Sequence, residues 1–228
     1  MLDPSKIRMI VCDFDRTLTD EDLTPSVEAF AAIRDAKGLG LRFIVVSGRQ
    51  LDFLLSIEEI SQLADAVVAE NGAIAYELST SKKLSPFVKE AKIIKQAFQK
   101  SGLRFLQFDV MTSLSISYVS AVKELIAKNK LQADIHFNVD SIMVLPLGVT
   151  KASGLSLALG LMGAPKDGII GFGDGENDLP LFEESDIAVA VANALPEVKA
   201  QADIVTTLTG GSGVAEQIRK MLPTIGRI

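Results

Sequence analysis

The chain reads as an α/β protein, a parallel sheet covered by helices and interrupted by a smaller α+β insertion. Three observations predict this. Short apolar runs alternate with helix-like segments at both ends of the chain, the pattern of repeated strand–helix–strand units. Most of these runs stop in polar residues or glycine, as strands do at the rim where open α/β sheets bind ligands. Between residues 74 and 147 the order of elements changes to paired strands with two helices, which predicts an inserted antiparallel sheet inside a core made of residues 1–73 and 148–228.

Residues 7–13 make the first strand. Pro25 opens a helix that Val27, Phe30, Ala31, Ile33 and Arg34 carry toward a stop at Gly38 and Gly40. A second strand follows over 41–46 and ends in Ser47-Gly48-Arg49; a helix over 51–60 leads to a third strand, 66–69, ending at Glu70-Asn71-Gly72. The insertion contains a strand, a helix over 86–100, strands over 103–108 and 113–118, a helix over 119–129, and strands over 134–137 and 141–145. Ser113, Ser115 and Ser117 alternate with Leu114, Ile116 and Tyr118, so that strand buries one face and turns hydroxyls to solvent or to a ligand. The alternation then resumes with a helix over 151–162, a strand over 168–173, a helix from Leu179, a strand over 187–191, a helix from Pro196, a short strand over 203–206 and a terminal helix over 212–221. Gly210-Gly211-Ser212-Gly213 precedes that helix as a glycine-rich turn; its plain reading is a turn, its sharper one a phosphate cradle.

The 228 residues, 48% hydrophobic, suffice for a substantial core. A net charge of −6 disfavours a nucleic-acid or anionic-membrane binder, so any anionic substrate needs a local site. One cysteine, Cys12, excludes an internal disulfide and reads as a small core residue in a reducing compartment. No leader and no apolar stretch of about 18 residues is visible, which gives a cytoplasmic expectation.

The chemistry starts at Asp13-Phe14-Asp15-Arg16-Thr17, two acids just past a buried strand. Close carboxylates at that rim most naturally share a divalent cation. A calcium loop does not fit, because its sixth position is Leu18 and its twelfth Thr24; an Asx turn opening a helix remains the plain alternative. Gly173-Asp174-Gly175-Glu176-Asn177-Asp178 ends a second apolar strand. Acids on a common rim raise one another's pKa unless a cation neutralises them. The third glycine of a dinucleotide fingerprint is missing after Gly173 and Gly175, with Asp178 at its place, which argues against a dehydrogenase. Ser47 and Lys151, singly a helix cap and a surface lysine, would complete a phosphate cradle beside a nucleophilic carboxylate.

In this order the motifs resemble the haloacid dehalogenase superfamily of phosphohydrolases: DFDRT at 13–17, SGR at 47–49, Lys151 in GVTK and GDGEND at 173–178. The resemblance spans nearly the whole chain, and the insertion after Asn71-Gly72 resembles that superfamily's second type of cap, in the compact form of archaeal-type phosphoglycolate phosphatases, on a Rossmann-like core. It implies that Asp13 attacks phosphorus and that Asp15 acts as acid and then base. Mg²⁺ would be held by the Asp13 carboxylate, the Asp15 carbonyl, Asp174 and Asp178. Thr17, Ser47 and the Gly48-Arg49 turn would meet the phosphoryl group, Lys151 would offset its charge, Asn177 would support Lys151 or the phosphate, and Asn71 would lie near the substrate. A small phosphate ester, phosphoglycolate first and a sugar phosphate second, is the expected substrate of a monomer or homodimer; a phosphomutase or a non-catalytic binding module are the remaining alternatives. Arg16 departs from the usual glycine and points either to solvent or to the cap or a second anionic group, as does Arg49. His136, the single histidine, reads as structural.

Overall fold

In the computed structural model, residues 6–20, 22–138 and 141–225 are described. The outer limits of the expected core, residues 1 and 228, fall outside them. Buried β-branched and small apolar residues build the first strands. β1 (Met9–Asp13) leads to α1 (Val27–Gly38), β2 (Arg42–Val46), α2 (Leu51–Leu55), α3 (Glu58–Leu63) and β3 (Ala66–Ala69). A hairpin of β4 (Ile74–Glu77) and β5 (Lys82–Leu84) follows, then α4 (Val88–Gln99), β6 (Leu106–Gln107), β7 (Thr112–Ser115), α5 (Val119–Asn129), β8 (Ala133–Asn138) and β9 (Ser141–Pro146). The chain returns through α6 (Lys151–Met162), β10 (Ile169–Gly173), α7 (Leu179–Glu183), β11 (Ile187–Ala190), α8 (Pro196–Gln201), β12 (Ile204–Val205) and α9 (Gly210–Met221).

The larger sheet runs β12-β11-β10-β1-β2-β3-β4-β5, parallel from β12 to β3. Strand order reverses between β1 and β10, and their register (Cys12 opposite Phe172, Asp13 opposite Val46) brings three carboxyl ends to one rim at this switch point. The smaller sheet, β6-β7-β9-β8, is antiparallel. Ile94, Phe98 and Val122 of α4 and α5 pack on its Leu114, Ile142 and Val144. Its alternate residues, Ser113, Ser141 and Met143, face the rim of the larger sheet.

Several elements differ from the expectation. Residues 74–84, assigned to the insertion, belong to the core sheet: three successive positive φ values at Glu70, Asn71 and Gly72 reverse the chain, so that Ile74 and Ala75 bury against Ala69 and Val68. The helix over 51–60 is two short ones, broken where the Ser56 hydroxyl donates to Phe53 O. The strand over 113–118 stops at Ser115, whose side chain accepts from Ser117 N and caps a single 3₁₀ turn. The strand over 103–108 shrinks to β6. The glycine cluster is the first turn of α9, not a turn before it. A Cβ on Gly211 would lie 2.0 Å from Ser26 Cβ and one on Gly210 2.4 Å from Thr19 O, so these glycines seat α9 on the α1 entry loop. Gly210 N already donates to Asn193 Oδ1, which removes the phosphate-cradle reading. No helix among the described residues is long and apolar enough to cross a membrane.

Candidate active site

Asp13 closes β1, and Phe14, buried behind it, anchors a tight turn through its carbonyl, which accepts from Leu18 N at 2.9 Å. Asp13 and Asp15 leave that strand end toward different partners. Asp13 Oδ1 meets Lys151 Nζ at 2.5 Å; Asp15 receives Arg49 through Nε at 2.9 Å and Nη2 at 2.7 Å. The two-pronged contact fixes the plane of the Asp15 carboxylate, and the guanidinium also lies over the Phe53 ring, 5.1 Å from its centroid.

Lys151 is the first residue of α6. The Thr150 hydroxyl accepts from Ser153 N while Ser153 Oγ accepts from Thr150 N, a reciprocal cap that fixes where the helix starts and therefore where Lys151 projects. Its ammonium is buried between Asp13 and Asp178, 2.6 Å from Asp178 Oδ1. The other Asp178 oxygen accepts from Asp174 N and Gly175 N at 3.0 Å each. This hold requires Gly173, where a Cβ would come within 2.5 Å of the Asp178 side chain. Thr17 Oγ1 reaches Asp174 Oδ1 at 3.4 Å.

Asp13, Asp174 and Asp178 each bring one carboxylate oxygen within 4.8 Å of the others. Asp174 Oδ2 is buried without a hydrogen bond; Arg16 Nη2 stands 2.9 Å away in ion-pair contact only. Asp15 brings the carboxylates of the site to four, one more than the three cations Lys151, Arg16 and Arg49. Burial, then repulsion from Asp178, pushes Asp174 up to about 6 despite Arg16 and Lys151. Burial and the neighbouring acids likewise raise Asp13. Burial works against the charge on Lys151, but Asp13 and Asp178 outweigh it and keep the ammonium protonated. An all-oxygen donor set with an orphaned acceptor and excess negative charge fits a hard divalent cation.

Above this cluster lies a cavity of about 360 Å³. Asp13, Asp15, Arg16, Gly48, Arg49, Asp174 and Asn177 line its floor, and Phe108, Met111, Ser113, Ser141 and Met143 its roof.

The profile of the haloacid dehalogenase-like hydrolases matches residues 10–140 and 110–218, most of the chain. The chain belongs to this family. A phosphoglycolate phosphatase of Methanothermobacter thermautotrophicus is 31% identical over 222 residues, which cover 95% of this chain and 99% of the relative. Among solved structures, the 0175 protein of Thermoplasma acidophilum superposes with a TM-score of 0.80 at 22% identity, covering 95% of this chain and 98% of its own. The subclass IIB sugar phosphatase BT4131 does so with 0.75 at 19% identity, covering 96% and 100%. This hydrolase is accordingly a phosphomonoesterase by family.

The hydrolase gathers the residues named from its sequence as catalytic, phosphate-binding or metal-holding in one place, though not all at the surface of the cavity. Thr17, Ser47, Asn71, Lys151 and Asp178 lie beneath the floor. Ser47 Oγ accepts from Arg49 N and so shapes the loop that carries Gly48 and Arg49. Asn177 donates to Asn71 Oδ1 at 3.1 Å, so its partner is Asn71 and not Lys151, while Asn71 Nδ2 is buried with no partner. Of the serine stripe, Ser113 alone faces the cavity. Arg16 is half-buried and pairs with Asp174, its backbone at φ +58° in a glycine-favouring conformation. His136, partly buried in β8, is absent from the cavity lining. Sequence reasoning missed Glu70, a buried acid at the end of β3, and the roof residues Phe108, Met111 and Met143, which give no signal until the insertion folds over the rim.

Proposed function

We propose that this hydrolase cleaves a small phosphomonoester through an aspartyl-phosphate, with 2-phosphoglycolate as its leading substrate. The observation that carries the reading is the buried Lys151 ammonium held between Asp13 and Asp178 beneath a cavity into which Asp13 and Asp15 open. Asp13 is the nucleophile, and Lys151 offsets charge on the phosphoryl oxygens as phosphorus changes partners. Asp15, paired with Arg49 through both oxygens, acts as acid once that pair opens and the carboxylate has taken up a proton, which it gives to the leaving oxygen; it later takes one from the hydrolytic water. The Asp13 carboxylate, the Asp15 carbonyl, Asp174 and Asp178 would hold Mg²⁺. When bound, that ion neutralises the carboxylates and polarises the phosphoryl group. Thr17 and Ser47 support the phosphoryl pocket from below, with Gly48 and Asn177 at its surface.

The substrate choice is supported by the size of the cavity and by Arg16 and Arg49, two guanidinium groups in its lining that would suit a second anionic group such as a carboxylate once they leave Asp174 and Asp15. The activity for which the M. thermautotrophicus relative is named agrees. A sugar phosphate is the second reading, favoured by the hydroxyl-bearing Ser113 and Ser141 in the roof. Phosphate release from phosphoglycolate, hexose phosphates, nucleotides and an aryl phosphate, with Mg²⁺ or EDTA, tests both. Release that requires the metal, favours phosphoglycolate and vanishes in Asp13→Asn supports the reading. Preference for hexose phosphates moves the substrate to sugars, and release by Asp13→Asn near the wild-type rate removes Asp13 from the nucleophile role.

A further inference from the structure

The β6–β7 hairpin brings Phe108 and Met111 into the roof of the cavity, and its tip is closed around one carboxylate. Glu70 Oε1 accepts from Asp109 N at 3.0 Å, and Oε2 accepts from Val110 N and Met111 N at 2.8 Å each. Three consecutive backbone amides turned toward one anion form an anion-binding concavity of the kind more familiar around phosphate. Its occupant is a side chain from the other sheet. Glu70 is 1% exposed, so its charge depends on these three donors.

The backbone at Glu70 adds an independent observation. Its φ of +50° lies in the left-handed region, unfavourable for a residue with a side chain, and it is followed by Asn71 at +57° and Gly72 at +110°. A strained non-glycine residue persists where its surroundings over-determine it, and such positions concentrate at clamps and switch points. Here the strain is compensated by the reach of the side chain into the hairpin. The hairpin tip is itself stiff: Gln107 Nε2 donates to Phe108 O and Met111 O, both at 3.1 Å, and Thr112 Oγ1 donates to Gln107 Oε1. Fixing its three amides therefore fixes the two side chains beside them. The exposed Lys83–Asp109 pair, 3.0 Å, is a second and weaker tie to the same tip. Asn71, next in sequence, holds Asn177 on the cavity floor, so one short chain reversal positions a piece of the floor and a piece of the roof.

We infer that Glu70 is a positioning residue, a carboxylate latch that holds the β6–β7 hairpin down on the core and sets how closely Phe108 and Met111 enclose the part of the substrate beyond its phosphoryl group. The effect on substrate rests on the phosphatase reading above; the latch itself does not.

Glu70→Gln separates a latch from a packing role. Glutamine keeps the shape but replaces one acceptor oxygen with an NH₂ that would face the hairpin amides. A latch therefore makes Glu70→Gln behave like Glu70→Ala, whereas a packing role makes it behave like wild type. Hydrogen exchange of the amides at 109–111 is the direct measurement, with β1 and β10 amides as the control. Losing hydrogen bonds to a charged acceptor is expected to speed exchange at 109–111 by about tenfold or more in both variants, with the control strands unchanged. In kinetics, KM for the preferred small ester should rise about tenfold while kcat changes only a few-fold, and the preference for that ester over an aryl phosphate should narrow. Wild-type exchange rates at 109–111 in Glu70→Gln overturn the latch, whatever the activity. Faster exchange with an unchanged substrate preference overturns its role in enclosure. Should neither variant fold, wild-type protein still decides: the three amides must be protected together, and rapid exchange at any two of them overturns the proposal.

Discussion

Lys151 and Arg16 show how far a single residue's role follows from its partners. The Lys151 ammonium is shared by two buried carboxylates, so removing it leaves both without that counter-ion. Lys151→Ala is expected to lower turnover on the order of a hundredfold or more through loss of an electrostatic stabiliser. It should also cost roughly 3–5 kcal/mol of stability without metal, because a buried charge loses its partner. Steady-state rates and chemical denaturation check the two effects separately, and wild-type stability would demote the ion triad to a marginal contact. Arg16 stands as a tethered cation beside Asp174 Oδ2, where a divalent ion would also bind. Arg16→Gly should therefore tighten Mg²⁺ binding several-fold in a calorimetric titration and weaken binding of a carboxylated substrate. It should also relieve about 1 kcal/mol of backbone strain at φ +58°. The acids themselves were legible in the sequence, because two carboxylates at the end of a buried strand are costly to place unless a ligand or cation meets them there. The direction of Arg16 was not, since it depends on a positive φ that a side-chain-bearing residue rarely adopts.

The same limit applies to whole elements. The strands β1, β2, β3, β10 and β11 were legible because parallel strands buried on both faces read as continuous apolar runs closed by polar residues. The β4–β5 hairpin was misassigned because nothing local distinguishes a strand that returns to the core sheet from one that opens an insertion; the reversal at Glu70–Gly72 decides it. Helix α6 gives the element its own prediction. Gly154 sits one turn after Lys151, and a Cβ there would lie 2.4 Å from both Gly72 Cα and Val68 Cγ1. Backbone on one side and a buried side chain on the other leave the helix no choice but to lift. Gly154→Ala should cost about 1–3 kcal/mol of stability as an overpacking change. It should also lower kcat by roughly tenfold or more, because displacing the start of α6 moves the Lys151 ammonium. A variant with wild-type kcat would mean that the helix slides without carrying its first turn.

At the scale of the molecule, the site exists only when the fold does. Asp13 comes from β1, Lys151 from α6, and Asp174 and Asp178 from the turn after β10, so the unfolded chain has no comparable cluster. A cation that binds the folded form alone must raise its stability by mass action. At a Mg²⁺ concentration about a hundred times its dissociation constant the gain is roughly 2.7 kcal/mol, or about 5–10 °C in Tm for a chain of this size. Protons compete for the same oxygens. The carboxyl of Asp174 is raised to about 6 by burial first and by Asp178 second, above the unfolded value of about 3.9. A raised folded pKa contributes stability that is fully present below about pH 3.9 and lost as pH rises through about 6. The metal-free protein thus gains from this group on acidification, while the metal-bound protein loses its ligand. The Mg²⁺-induced rise in Tm should therefore be full at pH 7.5 and shrink markedly at pH 5. EDTA should abolish it at both, and Asp174→Asn should nearly remove it at pH 7.5. A rise independent of pH, or one that survives Asp174→Asn, would place the cation elsewhere on the molecule.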